Sequence, residues 1–183
     1  MIVIITGASH TGKTLLAQRL LEKCGIPYIS ADHLKMGLIR SGMTRLTPED
    51  DGLLTGYLWP LLREMIKTAI ENSQSLILEG CYIPFDWRKD LAPEYLRHVR
   101  FVCLALTEAY IDARYDDIVR HACDIEARLE PPPSKAALAA DNRAFINGFR
   151  RAGEKVTVID SDYEGAVRAL ADEITEDREK RQP

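Results

Sequence analysis

The chain has 183 residues, with 24 lysines and arginines against 28 aspartates and glutamates, a net charge of −4. That length suits one domain with a full core. The mildly acidic balance offers no basic field for nucleic acid or an anionic membrane, so neither is expected as a partner.

In chain order, Ile2, Val3, Ile4 and Ile5 read as a buried strand. Gly7-Ala8-Ser9-His10-Thr11-Gly12-Lys13-Thr14 follows, a complete G-x-x-x-x-G-K-[ST] phosphate-binding loop. Its glycines let the backbone wrap closely round phosphates, and the N–H groups of the loop and of the next helix point at the anion. Lys13 is placed to reach the β- and γ-phosphates of ATP, and the Thr14 hydroxyl to ligate Mg²⁺. His10 fills a variable position, so a backbone contact is its expected role. From Leu15 the pattern is an amphipathic helix, with Leu16, Ala17, Leu20, Leu21 and Cys24 on one face and Gly25 as its stop.

Pro27–Ser30 is a short second strand, and Ala31-Asp32-His33 opens a helix to about Arg40. Residues 41–56 read as a loop with room for one helical turn. Leu58, Leu61, Leu62, Met65, Ile66, Ala69 and Ile70 repeat at three and four, which predicts a helix with Pro60 in its first turn. Leu76-Ile77-Leu78 is a third strand ending at Glu79-Gly80. Residues 82–97 are irregular, then helical around Tyr95. Arg100–Leu106 is a fourth strand, and a charged helix from Glu108 to Leu129 is stopped by Pro131-Pro132-Pro133. A further helix spans Lys135–Arg151, and Lys155–Ile159 is the fifth strand. Asp160-Ser161-Asp162 caps a last helix that buries Val167, Leu170, Ala171 and Ile174 and frays after Glu176.

Five apolar strands alternating with helices predict an α/β fold: a parallel sheet with helices on both faces, in three layers, as one domain over 1–183. Ligands belong at the carboxyl ends of such strands. Gly7, Asp32 and Glu79 all fall there. The four cysteines (Cys24, Cys81, Cys103, Cys123) show no C-x-x-C spacing, so neither a zinc cluster nor a disulfide framework is suggested. With no leader segment and no bilayer-length apolar run, a cytoplasmic protein is expected.

Asp32, at the end of the strand beside the phosphate loop, is the candidate acid–base or metal-positioning group. Its bland alternative is to cap the helix that follows. Lys35 and Arg40, further along that helix, suit an anionic acceptor, since arginine grips phosphate or carboxylate with a planar fork. Trp59, Tyr82 and Trp87 read as core edges or as pocket lining.

No N/T-K-x-D guanine motif follows a late strand, and the chain is short for an ATPase machine. Residues 7–14, the loop–helix segment after the second strand and the arginine-bearing helix after the fourth resemble the P-loop small-molecule kinases of the nucleoside-monophosphate-kinase and shikimate-kinase group. Asp32-His33-Leu34-Lys35-Met36-Gly37 and Leu78-Glu79-Gly80 are also similar to bacterial 2-phosphoglycerate-kinase-like and adenylate-kinase-like kinases. The resemblance implies ATP- and Mg²⁺-dependent phosphoryl transfer to a small, anionic metabolite. It implies an acceptor-binding insertion over about 32–73 and a lid over about 108–134. Glu79 stands where relatives carry a Walker B carboxylate, and with Gly80 it borders the acceptor. Arg114, Arg120 and Arg128 are the catalytic lid arginines it implies, stabilising charge on the transferring group. Helical ion pairs, Asp116 with Arg120 and Asp124 with Arg128, are the alternative for these arginines. An ATP-binding switch without an acceptor substrate is the alternative for the whole chain. Oligomeric state is unreadable.

Overall fold

The computed structural model describes residues 1–125 and 131–181. Its centre is β1 (Ile2–Gly7), all of it buried, flanked by β3 (Leu76–Glu79) and β4 (Val99–Leu106). β2 (Tyr28–Ser30) and β5 (Val156–Ile159) complete a five-stranded sheet in the order β2-β3-β1-β4-β5, every pairing parallel. This is the predicted α/β sheet.

A buried strand covered on both faces has no polar side to spare, which is why Ile2–Ile5 is continuously apolar. Successive side chains point to opposite faces. Val3 and Ile5 join Leu16, Leu20, Val167 and Ile174 in one core layer. Ile2 and Ile4 join Leu58, Leu62, Trp87 and Phe149 in the other. Each large side chain so buried contributes about 1.5–3 kcal/mol of gross transfer energy.

The first layer is built by α1 (Lys13–Cys24) and α7 (Tyr163–Arg181), with α5 (Glu108–Arg120) and part of α6 (Lys135–Arg151). The second holds α2 (Ala31–Arg40), α3 (Asp51–Glu71), a 3₁₀ turn at Trp87–Asp90 and the short α4 (Pro93–Leu96). There the Trp87 and Phe101 rings stack with centroids 5.2 Å apart, and Phe149 meets both Phe101 and Phe85.

Register aligns the functional strand ends. Ile5 and Ser30 both sit opposite Glu79, and Gly7 sits opposite Leu104. The loop after β1, the start of α2 and the end of β3 therefore open on the same edge of the sheet.

The structure differs from the sequence expectation in three helices. α3 begins at Asp51, so much of the expected 41–56 loop is helical and Pro60 lies inside the helix. Burial of Leu54, one turn before Leu58, draws the helix back past Gly56. Proline removes the bond to the carbonyl four residues earlier. Here that carbonyl belongs to Gly56, which is exposed, as is Pro60. α5 ends at Arg120 and passes into a 3₁₀ turn at His121–Cys123. Glu126–Glu130, with Arg128 and the expected end of the charged helix, lie outside the described residues. α7 does not fray after Glu176 but runs to Arg181. Arg178 ties it to α1 by donating to the carbonyl of Cys24, and the Thr175 hydroxyl lies beside the Cys24 thiol. No described helix is long and apolar enough to cross a membrane.

Candidate active site

The loop between β1 and α1 is held by its own side chains. Ala8, fully buried, offers its carbonyl to the Thr11 hydroxyl at 2.9 Å and to the Lys13 ammonium at 2.8 Å. From outside, α6 supplies the Asp141 carboxylate, which accepts the Ser9 N–H at 2.9 Å. The Ser9 hydroxyl meets His10 Nδ1 at 2.7 Å. Gly7 packs so tightly that a Cβ would stand 2.0 Å from the Leu104 carbonyl oxygen. Gly12, with φ of 85°, starts α1 in the left-handed region, and a Cβ there would stand 1.7 Å from the Tyr163 hydroxyl.

A cavity of about 360 Å³ opens over this loop. His10, Gly12, Lys13 and Thr14 line one wall, and Asp32 and Glu79 stand at its α2 end. Arg19, Tyr110, Ile118, His121 and Tyr163 are among its other lining residues. The volume falls within the range of ligand pockets, apolar with a few directed polar groups.

Asp32 is not the N-cap of α2, which is Ser30. Its carboxylate instead accepts from Lys35 at 2.9 Å and from the Tyr82 hydroxyl at 3.5 Å. Lys35 also donates to that hydroxyl at 2.8 Å and is far more buried than Asp32. Glu79 is 1% exposed. Gly80 passes so close to α2 that a Cβ would lie 2.6 Å from Ala31 Cβ. Arg40 is exposed at the far end of α2 and lies outside the cavity wall. Trp59, Tyr82 and Trp87 are all core residues, with Tyr82 also joining the Asp32–Lys35 pair.

Arg114 and Arg120, expected as lid arginines, are held off the cavity. Arg114 and Arg120 both pair with Asp117, at 3.3 Å and 3.0 Å, and neither lines the wall, whereas Asp117 does. The Asp116–Arg120 pair expected from i,i+4 spacing is replaced by this fork on Asp117. α5 bends at Arg114, whose φ of −125° and ψ of 17° are non-helical. Asp124 accepts from His121 across 2.8 Å.

Four residues here escaped the sequence reading. Arg19 follows Leu15 by one helical turn, so both face the cavity; helix periodicity alone carried that signal. Its guanidinium bonds Glu164 at 2.8 Å and holds that carboxyl below its ordinary range. Tyr163, Asp117 and Asp141 reach the site only through tertiary packing. Burial pushes the Tyr163 phenol up to about 12 and raises Tyr110 as well, so both remain neutral hydroxyls.

No family model and no curated protein matches the chain. Solved structures do. A deoxyadenosine kinase from M. mycoides superposes with a TM-score of 0.58 at 11% identity, over 98% of this chain and 100% of that one. A sugar kinase from Janibacter sp. HTCC2649 gives 0.54 at 20% identity, over 95% and 94%. A shikimate kinase from Bacteroides thetaiotaomicron gives 0.54 at 17% identity, over 96% and 98%. The chain has the fold of the P-loop small-molecule kinases. The phosphate loop after β1 and the residues at the carboxyl ends of β2 and β3, Asp32 and Glu79, face one cavity, where ligands lie in open α/β sheets.

Proposed function

We propose that the protein is an ATP-dependent phosphotransferase that moves the γ-phosphoryl group to a small, anionic metabolite. One observation carries the reading: a complete phosphate loop shares its cavity with the carboxylates of Asp32 and Glu79. A fold shared with a sugar kinase, a shikimate kinase and a deoxyadenosine kinase supports it.

ATP lies with its phosphates on residues 7–14, where loop N–H groups and the start of α1 supply positive potential. Lys13 exchanges the Ala8 carbonyl for β- and γ-phosphate oxygens. Thr14 and Asp32 are hard oxygen donors on one cavity, a set that suits Mg²⁺ completed by phosphate oxygens and waters. When bound, Mg²⁺ would neutralise phosphate charge, with Thr14 and Asp32 holding it. Asp32 orients the acceptor hydroxyl and accepts its proton. Lys35, already beside Asp32, takes the acceptor's anionic group. Arg40 is about 7.5 Å further along the helix axis and serves only an acceptor of that reach. Glu79 and Gly80 close the acceptor's other side. Residues 32–73 act as the acceptor-binding insertion and 108–134 as the lid. Closure of the lid excludes water and draws Arg114, Arg120 or Arg128 toward the transferring group. Nucleotide chemistry and cysteines scattered without C-x-x-C spacing fit a cytoplasmic site of action.

The test is ADP release from Mg·ATP against monophosphates, hydroxy acids and aminoalcohols. One acceptor should raise the rate well above background, and Lys13→Ala should abolish the gain. Tight ATP binding with no acceptor-dependent turnover would favour the switch instead.

A further inference from the structure

His10 has φ of 62°, in the left-handed region that glycine enters freely and other side chains enter at a cost. Gly7 and Gly12 meet the loop's other positive-φ demands as glycines, at 147° and 85°. Position 10 meets the same demand while carrying an imidazole. Strain of this kind persists only where the surroundings over-determine it, and it concentrates at ligand clamps.

The surroundings are specific. Asp141 on α6 fixes the Ser9 N–H, and the Ser9 hydroxyl holds His10 Nδ1 at 2.7 Å. The ring is thus oriented by a neighbour that α6 itself pins. His10 lines the cavity together with Gly12, Lys13 and Thr14 of the phosphate-binding loop. Meanwhile Arg114 and Arg120 are engaged by Asp117 outside that lining.

We propose that the His10 side chain, and not only its backbone, is a ligand for the nucleotide's phosphate chain. Its imidazole, aimed through Ser9 and Asp141, donates a ring N–H to phosphate oxygen. The inference rests on the cavity being a nucleotide site.

The positive φ supplies a clean perturbation. His10→Gly removes the imidazole and relaxes the backbone, so the loop keeps its shape and the melting temperature holds or rises. Mg·ATP titrated calorimetrically into the two proteins should bind roughly tenfold to a hundredfold more weakly to the variant, the usual worth of a hydrogen bond to a charged group. Histidine ¹⁵N spectra give a readout that a purely structural role would not move. The ring resonance lost in His10→Gly should shift in the wild-type protein on saturation with Mg·ATP. Equal or tighter binding by the variant, or an unmoved His10 resonance at saturation, overturns the proposal while the kinase reading stands. Absence of Mg·ATP binding by the wild-type protein, with Lys13→Ala indistinguishable from it, overturns both.

Discussion

Substituting alanine for Gly12 separates two reasons for a glycine at the start of α1. The first is backbone: at φ of 85° a Cβ costs about 1–2 kcal/mol. The second is space. The new Cβ would stand 1.7 Å from the Tyr163 hydroxyl and 2.9 Å from ring carbon Cζ. Ordinary contact begins near 3.5 Å, so the ring must retreat by about 2 Å. Tyr163 packs against the α1–α7 core layer, and forcing such a group costs about 1–3 kcal/mol. The sum is about 2–5 kcal/mol, which for a chain of this size lowers the melting temperature by roughly 5–15 °C. Thermal unfolding followed by circular dichroism measures it. In a Tyr163→Ala background only the backbone strain remains, so the same substitution should cost about 1–2 kcal/mol. The coupling of about 1–3 kcal/mol is the signature of contact. An identical cost in both backgrounds would refute the steric half of the reasoning.

Asp32→Asn keeps the shape at the end of β2 but removes the base. The acceptor-dependent kcat should fall by about 10²–10⁴, read from steady-state kinetics. Asp117→Asn frees Arg114 and Arg120 from a shared partner, and each exposed pair is worth about 0.2–1 kcal/mol. Mg·ATP affinity should tighten by roughly twofold to tenfold in calorimetry; unchanged affinity would leave both arginines as surface pairs. Thiol labelling at pH 8 should find Cys123 first, because it is exposed. Cys103 should stay silent until unfolding, since burial pushes its thiol up to about 12 and the neutral form prevails. The Arg19–Glu164 pair links α1 to α7. The lowered Glu164 carboxyl makes its small contribution above the ordinary carboxylate range and loses it as pH falls through the lowered value. Glu164→Gln should therefore slightly flatten the acid limb of the stability curve.

What the sequence carried well was local. Ile2–Ile5 and the loop at 7–14 are legible because a buried parallel strand and a phosphate cradle each dictate residue types at fixed spacing. Asp32 and Glu79 were findable because both end strands, and the sheet register brings those ends together. What escaped depends on partners distant in the chain. Residues 51–57 hold two glycines, an aspartate and a threonine, and read as loop; only packing of Leu54 against the second core layer makes them helix. The last turns of α7 read as a solvated tail because nothing local announces that Arg178 will cap α1. Arg114 and Arg120 were legible as lid candidates, and Asp117 lies three residues from each, so i,i+3 spacing lets it pair with both in place of the i,i+4 pair expected. Arg128 lies outside the described residues. Tyr163 meets Gly12 through a turn after the last strand, far along the chain from the loop it touches.

Both of the chain's tryptophans lie in the core layer that contains α2 and α3. Trp59 donates its indole N–H to Asp90, and Trp87 stacks on Phe101. The opposite layer, which carries α1 and α7, is lit only by tyrosine. Intrinsic emission excited at the red edge is therefore a one-sided reporter. It registers rearrangement where the acceptor would dock and is nearly blind to the nucleotide's arrival, so the unlabelled protein can tell one binding event from the other.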